Sequence, residues 1–349
     1  MLETLLRDID ATEINAFARA VQTPADYALT LSVMPEKTIN SVKFRIKSTS
    51  RRVNAAKYRA WDAQTAVATR EAKRIVTEGM LPPLGQKYLV GELEQILLDT
   101  SRGADASELV ELLYQDVAAH VQSIKSRLEL AVGDLLTDGK FTLSGENGLT
   151  VEYDAGVPSA NMPTAATAWT DPTADALKDE MAWIETLRAS GAPLPSRVVT
   201  SYKARALLAA NNAYRAAFYG SVSPSTTPTA VLAPNEVDVV RARYGLPPIS
   251  VYDVQIPLDD GTMKRPLPED RWLMLPPNPQ TWGETQYGVT AESLVLSSGG
   301  NPAIEREEAP GIVVTHGYKD DPVQVWTKGA AVAMPVLYVP DIHITAKVF

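Results

Sequence analysis

The sequence contains no cysteine among its 349 residues. Disulfides, thiolate metal sites and cysteine nucleophiles are therefore excluded. Histidine is scarce, with three residues, and aromatic residues make up 7% of the chain. No apolar run approaches the roughly 18 residues that a membrane-spanning helix needs. Residues 1–10 carry acids in place of the basic and apolar regions of a signal peptide. We therefore expect a protein without a membrane span and without disulfides.

Sequence motifs for catalysis or for cofactor binding are equally scarce. No Gly-x-Ser-x-Gly nucleophile motif occurs. Gly139-Lys140 is similar to the end of a phosphate-binding loop, but the next residue is Phe where Ser or Thr is required. His316 and His343 have aspartates nearby but no metal-site spacing, and we interpret His343, between two isoleucines, as an outward-facing strand residue. The sequence therefore predicts no enzyme, no cofactor and no metal site.

Charge is unevenly distributed along the chain. The formal net charge of −9 argues against a dedicated nucleic-acid binder, whose phosphate contacts need a basic surface. Residues 42–59 nevertheless contain seven bases and no acid, namely Lys43, Arg45, Lys47, Arg51, Arg52, Lys57 and Arg59. Three interpretations stay open: contact with another subunit, a solvated face, and contact with nucleic acid. The acidic balance of the whole chain favours the first.

The start of this basic segment has the period of a β-strand. Val42, Phe44 and Ile46 alternate with the first three bases, so one face is apolar and the other is basic. Such a strand has to lay its apolar face on something. No strong partner strand stands within the next twenty residues, and we therefore predict an extended arm.

The clearest helix covers residues 107–137. Its apolar residues recur at steps of three and four, as a single stripe made of Leu109, Leu113, Val117, Val121, Ile124, Leu128, Val132 and Leu135. At 1.5 Å per residue the rod is about 46 Å long. One apolar side on so long a rod predicts a structural spine that lies across a sheet. A coiled coil is the other interpretation, which Gly133 and the lack of sustained charge pairing weaken.

Short elements follow the long helix. A hairpin is predicted from Phe141 to Tyr153 around a turn at residues 145–148. Asp171-Pro172 predicts the start of a helix, with Leu177, Met181, Ile184 and Leu187 as its buried stripe. Further helices are expected at 203–212 and 234–244, and strands at 197–200, 249–254, 311–315, 323–326, 336–339 and 342–348. The predicted class is α+β with a mixed central sheet.

Several segments, in this order, resemble one known family. They are WDAQTAVATREAKRIVTEGMLPPLGQKYLVGE at 61–92, the long helix, DGKFTLSGENGLTVEYDAG at 138–156, WTDPTADALKD at 169–179 and MPVLYVPDIHITAKVF at 334–349. The chain resembles, over nearly its whole length, the lambda-like major capsid proteins of tailed phages, family E. The hairpin after the long helix and the helix start near Trp169 are the most specific parts of this resemblance.

The resemblance implies the Hong Kong 97-type capsid fold and a division of the chain. Residues 1–36 would be the N-arm, and residues 37–80 an extended loop that reaches a neighbouring subunit. The peripheral domain, with the spine helix, would comprise 81–155 and 310–331. The axial domain would comprise 156–309 and 332–349.

The resemblance also implies a function. The chain would be a major capsid protein that self-assembles into the pentamers and hexamers of an icosahedral shell around double-stranded DNA, with no sequence-specific DNA binding. Expected partners are copies of itself, a scaffolding protein, a portal and, as a further candidate, a decoration protein. Its location would be the virion, after assembly in the host cytoplasm. An encapsulin-like compartment shell, with the same fold, is the alternative.

Overall fold

The computed structural model describes residues 11–48, 75–90, 106–146, 148–220, 230–298, 311–320 and 323–349. The helices are α1 (Ala11–Ala20), α2 (Ala106–Asp138), α3 (Ala176–Ser190), α4 (Tyr202–Ala210), α5 (Asn212–Tyr219), α6 (Pro234–Arg243), α7 (Pro279–Trp282) and α8 (Ala291–Ser298). A π-helical turn covers Leu29–Val33, and a 3₁₀ turn covers Ser159–Asn161. In the part of the chain that is described, no helix is both long enough and apolar enough to cross a bilayer.

Fifteen strands are described in the same ranges. The first eight are β1 (Glu36–Thr38), β2 (Lys43–Ser48), β3 (Ile75–Met80), β4 (Pro83–Val90), β5 (Lys140–Glu146), β6 (Leu149–Asp154), β7 (Arg197–Thr200) and β8 (Ile249–Val251). The others are β9 (Ile256–Pro257), β10 (Met263–Lys264), β11 (Arg271–Leu275), β12 (Gly283–Tyr287), β13 (Val313–Asp320), β14 (Val323–Leu337) and β15 (Ile344–Lys347). The α+β class and the mixed pairing are confirmed, because β1 pairs in parallel with β12 and β7 with β8, whereas the other pairs are antiparallel.

The long helix α2 confirms the predicted spine and is one residue longer at each end than predicted. It ends at Gly139, whose φ of 76° is in the left-handed region that glycine adopts without strain. The helix lies across the first sheet, in the order β1-β12-β14-β13 with β4 also paired to β14. Ile124 and Leu128 pack on Tyr287, Ala331 and Ala333 of that sheet. We call α2 the spine helix from here on.

Small residues bring the spine helix close to strand β14. A Cβ added at Gly329 would lie 2.7 Å from the Cβ of His120 on the helix, so any larger residue would push the two elements apart. Residues 327–333 are therefore mostly small and lack the alternation of large apolar and polar side chains from which a strand is predicted. For this reason the prediction of two separate strands at 323–326 and 336–339 is wrong, since both lie in the continuous strand β14 or at its end.

A second sheet, in the order β15-β11-β7-β8, carries most of the remaining helices. Its core contains three tryptophans in ring contact: Trp169 stacks on Trp183 at 5.8 Å between centroids and meets Trp272 edge-on at 4.9 Å. The largest apolar cluster includes Val132, Leu135 and Leu136 of the spine helix together with residues of both sheets. The spine helix therefore joins the two sheets.

The predicted helix start at Asp171 is wrong. Helix α3 begins at Ala176, and Asp175 caps it by accepting a hydrogen bond from the Lys178 amide at 3.0 Å. The Asp171 carboxylate instead closes a turn on Thr173. The carbonyl of Pro172 accepts from the Asn212 amide, and that of Ala174 from the Asn211 side chain, so these carbonyls bind the start of α5 and are not helical.

The predicted buried stripe of this helix is confirmed at Leu177 and Leu187 and wrong at Met181, which is 50% exposed. Glu180 and Trp183 are buried instead. The predicted helices at 203–212 and 234–244 correspond to α4 and α6. Helix α5 and strands β3 and β4 were not predicted. The predicted division into N-arm, extended loop, peripheral domain and axial domain stays a prediction.

Candidate functional site

The predicted basic strand is β2, and it forms an antiparallel pair with β3. The partner strand begins 27 residues after β2 ends, which agrees with the absence of a partner in the nearer sequence. The alternation is confirmed at Phe44 and Ile46, which are buried, and at Lys43 and Arg45, which are exposed. It is wrong at Val42, which precedes the strand and is 40% exposed. The root of this hairpin is fixed to the body of the molecule, where the Leu81 amide donates to the Val42 carbonyl at 2.9 Å.

The inner face of the hairpin packs on the β5–β6 hairpin. The Phe44 ring meets the Tyr153 ring edge-on, with 5.3 Å between centroids. Opposite Phe44 stands Gly79, where an added Cβ would lie 2.6 Å from the Phe44 ring, so the missing side chain makes room for the aromatic one. Burial raises the pKa of Tyr153 to about 12, and its hydroxyl lies 3.5 Å from the Leu337 carbonyl, so it is neutral at physiological pH.

The outer face of the same hairpin combines charge with exposed apolar surface. The Arg45 guanidinium forms an ion pair with Glu78 on β3 at 2.7 Å, and both side chains remain more than half exposed. Lys43 is exposed and stands opposite Met80, which is 64% exposed. The outer face therefore presents two exposed cations and an exposed methionine side by side.

The other predicted contact residues are only partly described. Lys47 lies on β2 opposite Val76, and its backbone alone is described. Arg51, Arg52, Lys57 and Arg59 lie outside the described residues. The structure therefore brings Lys43, Arg45 and the backbone of Lys47 onto one strand, and the assignment of all seven residues to a subunit contact stays a prediction.

His120 and His343 serve as packing and hydrogen-bonding residues. His120 of the spine helix is buried, stacks on Tyr88 with 4.4 Å between centroids, and shares a 3.0 Å hydrogen bond with Thr327 through Nε2. Burial lowers its pKa. The described residues contain no group of three histidine, aspartate or glutamate side chains that is arranged to hold a metal ion.

The interpretation of His343 as an outward-facing residue is wrong. Its side chain is fully buried, Nδ1 accepts a 3.1 Å hydrogen bond from the Trp282 indole, and burial lowers its pKa to about 4. The segment has two buried faces because the spine helix covers it, as the 2.8 Å hydrogen bond from Thr345 Oγ1 to the Leu136 carbonyl shows. The alternation of polar and apolar residues therefore does not indicate which side chains of this segment face the solvent.

A buried charge network in the second sheet's helical layer was not predicted. Arg241 of α6 donates to Glu180 of α3 at 2.7 Å and to the Tyr214 hydroxyl of α5 at 2.9 Å, and Tyr214 donates to Glu180 at 2.7 Å. Arg241 also donates to the Pro247 carbonyl and lies over the Trp272 ring. Burial acts against the arginine charge, but the Glu180 carboxylate more than offsets it, so the pKa of Arg241 is raised. Burial and the same carboxylate raise the pKa of Tyr214 well above its usual value.

The network fixes three helices to one another and does not resemble a catalytic site. All three residues are almost completely buried, with at most 1% of their surface exposed. Glu180 lies on the same face of α3 as the apolar residues Leu177 and Leu187. A charged residue on an apolar face is the sequence signal that could have indicated a buried charge network. These hydrogen bonds connect α3, α5 and α6 through three buried side chains.

Comparisons with known proteins agree with this architecture. The family model described as phage major capsid protein E matches residues 10–348. No curated protein is similar in sequence. Among solved structures, a protein assigned as a prophage capsid protein of Escherichia coli CFT073 is similar, with a TM-score of 0.63, 14% identity, and coverage of 98% of this chain and 99% of that chain.

A second solved structure, a phage-related protein of Bordetella bronchiseptica RB50, is similar with a TM-score of 0.52 and 13% identity. The alignment covers 96% of this chain and 95% of that chain. At these identities the two structures support the fold, and the assignment to a family comes from the model match over residues 10–348. The chain therefore belongs to the phage major capsid protein E family.

Proposed function

We propose that the protein assembles with copies of itself into pentamers and hexamers, which together form a closed icosahedral shell around double-stranded phage DNA. The single observation that carries this proposal is the family match over residues 10–348. The net charge of −9 is compatible with a protein shell that encloses nucleic acid without binding it tightly. The alternative, an encapsulin-like compartment shell, has the same fold, and the family match favours the phage shell.

The proposal includes the finer expectations made above. The protein has a structural and not a catalytic role, it is assembled in the host cytoplasm, and it ends in the virion. A scaffolding protein, a portal and a decoration protein are the proposed partners besides further copies of the chain. Residues 37–80 remain the proposed extended loop, and the spine helix the centre of the proposed peripheral domain.

The outer face of the β2–β3 hairpin is the proposed contact with a neighbouring subunit. Lys43 and Arg45 are exposed although the chain as a whole is acidic, and Met80 adds apolar surface beside them. A basic face of one copy is attracted to the acidic surface of the next, which also disfavours wrong pairings. Each contact is weak alone, but a shell repeats it in every copy, so the contacts act together. Lys47, Arg51, Arg52, Lys57 and Arg59 complete the proposed contact set.

Reversing two of these charges is expected to prevent assembly without unfolding the subunit. Lys43→Glu combined with Arg45→Glu replaces attraction to the neighbour by repulsion. Within the subunit it replaces the exposed Arg45–Glu78 ion pair by two like charges, a change of about 1 kcal/mol at an exposed site. Negative-stain electron microscopy should then show few or no closed shells, while the thermal unfolding midpoint of the subunit stays within a few degrees of the original.

The matched control keeps both charges and changes only the side chains. Lys43→Arg with Arg45→Lys should assemble as the original chain does. Normal shells from the charge-reversed variant would contradict the proposed contact and would leave the solvated-face interpretation. A variant that fails to assemble and is also unfolded would be replaced by Lys43→Glu alone, which leaves the Arg45 ion pair with Glu78 intact.

A further inference from the structure

Glu129 lies in the C-terminal half of the spine helix and is completely buried. Its Oε1 accepts hydrogen bonds from the Leu29 amide at 3.0 Å and from the Tyr252 hydroxyl at 2.7 Å. Its Oε2 accepts from the Thr30 amide at 2.8 Å and from the Thr30 hydroxyl at 2.7 Å. None of these donors is cationic. A buried carboxylate is tolerated only when hydrogen bonds replace its hydration, so Glu129 depends on these four donors.

Three of the four donors belong to the N-terminal segment, by which we mean residues 11–38. Leu29 and Thr30 begin its π-helical turn, where the amides of the first residues have no partner within the turn. The same side of the spine helix holds the preceding residues, since Ser126 hydrogen-bonds to Tyr27 at 2.7 Å and Lys125 donates to the Val21 carbonyl at 2.9 Å. Glu129 is therefore the centre of a docking surface for this segment.

The fourth donor comes from the second sheet. Tyr252 directly follows β8, and its amide donates to the Thr200 carbonyl of β7 at 2.8 Å, so its position is tied to that sheet. Burial, and then the Glu129 charge, raises the pKa of Tyr252, so the hydroxyl keeps its proton and donates. Arg197 of β7 also donates to Ser32, and so the same sheet holds the N-terminal segment at a second point.

We propose that Glu129 couples docking of the N-terminal segment on the spine helix to the seating of the second sheet on the same helix. When the segment leaves, the carboxylate loses three donors and the residues that cover it, so water reaches it. Water then competes with the Tyr252 hydroxyl for the carboxylate, which weakens the Tyr252 contact in turn. By the reciprocity of coupled equilibria, loosening Tyr252 also weakens docking of the segment. A partner that removes the segment from the spine helix would therefore also loosen the contact of the second sheet at Tyr252.

The coupling concerns a single subunit and is independent of the proposed shell. Its test is amide hydrogen exchange on the full-length chain, kept unassembled at low concentration. Tyr252→Phe removes the hydroxyl that donates to Glu129 and keeps the aromatic ring in place. We expect exchange at the Leu29 and Thr30 amides to accelerate about tenfold, the effect of one hydrogen bond to a charged group. Unchanged exchange at these two amides would overturn the proposal.

The control variant loosens the segment without touching the carboxylate. Ser126→Ala removes the Tyr27 contact, so exchange should accelerate at residues 27–30 and, through Glu129, also at the Tyr252 amide. Acceleration at residues 27–30 with unchanged exchange at Tyr252 would mean that the two sites are not coupled, and would also overturn the proposal. Glu129→Gln completes the set: its NH2 group replaces one carboxylate oxygen and so faces either the Leu29 or the Thr30 amide with a donor, and the charge is lost, so exchange should accelerate at both places at once.

Discussion

Arg241→Met is expected to lower the free energy of unfolding by about 3–5 kcal/mol, the usual effect of removing one partner from a buried ion pair. The variant leaves the Glu180 carboxylate buried with the Tyr214 hydroxyl as its remaining described donor. It also leaves the Pro247 carbonyl without the two guanidinium donors that it has now. Chemical denaturation of the unassembled subunit, followed by circular dichroism, measures the change.

Removing the second charge should restore much of the lost stability. In the double variant Glu180→Leu with Arg241→Met no charge remains buried, and apolar replacements of buried ion pairs are often neutral or stabilising. The surface pair between Arg205 and Asp238, on α4 and α6, is the matched control, because its partners are partly exposed. Asp238→Asn should cost less than about 1 kcal/mol. If Arg241→Met costs no more than Asp238→Asn, the network does not hold the helices as inferred.

Gly133→Ala is expected to destabilise the protein by about 1–3 kcal/mol, the usual cost of inserting a methyl group into a packed interior. Gly133 is buried on the spine helix, and a Cβ there would lie 2.1 Å from the carbonyl oxygen of Pro266, in the loop before β11. The obstacle is backbone, which cannot rotate aside as a side chain can. The expected sign is opposite to helix propensity, which favours alanine by about 1 kcal/mol.

A substitution on the exposed side of the same helix separates packing from propensity. Gln122 is exposed, so Gln122→Ala should leave the free energy of unfolding almost unchanged. Thermal unfolding of the two variants beside the original chain provides the comparison. A Gly133→Ala variant as stable as the original, or more stable, would show that the spine helix and the Pro266 loop are not in tight contact.

The elements that local periodicity specifies could be predicted from the sequence. The stripe of the spine helix is confirmed from Val117 to Leu135, and the two faces of strand β2 from Lys43 to Ile46, because one face of each element is buried and the other is not. Periodicity failed at His343, where the strand is buried on both faces. It also failed in strand β14, where small residues admit the spine helix at Gly329.

The polar contacts could not be predicted, because each depends on residues far apart in sequence. Glu129 is about 100 positions from Leu29 and 123 from Tyr252. Glu180 and Arg241 are 61 positions apart. An acid on a helix is normally solvated, so its burial is decided by donors that only the tertiary fold brings to it. Glu129 and Glu180 share one local feature, which is a charged residue among buried apolar neighbours in the helix. That feature does not indicate which residue the acid contacts.

The proposed subunit contact could be predicted from the sequence in part. The basic character and the strand period of the segment are local, and the hairpin confirms the exposure of Lys43 and Arg45. What those side chains meet in a shell depends on a second copy. A single chain contains the contact surface and not its partner, so the assignment of the seven bases rests on charge and on the family.

The central claim is that the chain builds a closed shell from copies of itself, and electron microscopy of the purified full-length protein tests it most directly. A sizing column run on the same sample separates assemblies from free subunits. The account predicts closed shells, or rings of five or six subunits, formed alone or with a scaffolding protein co-expressed. A uniform monomer under both conditions would contradict it.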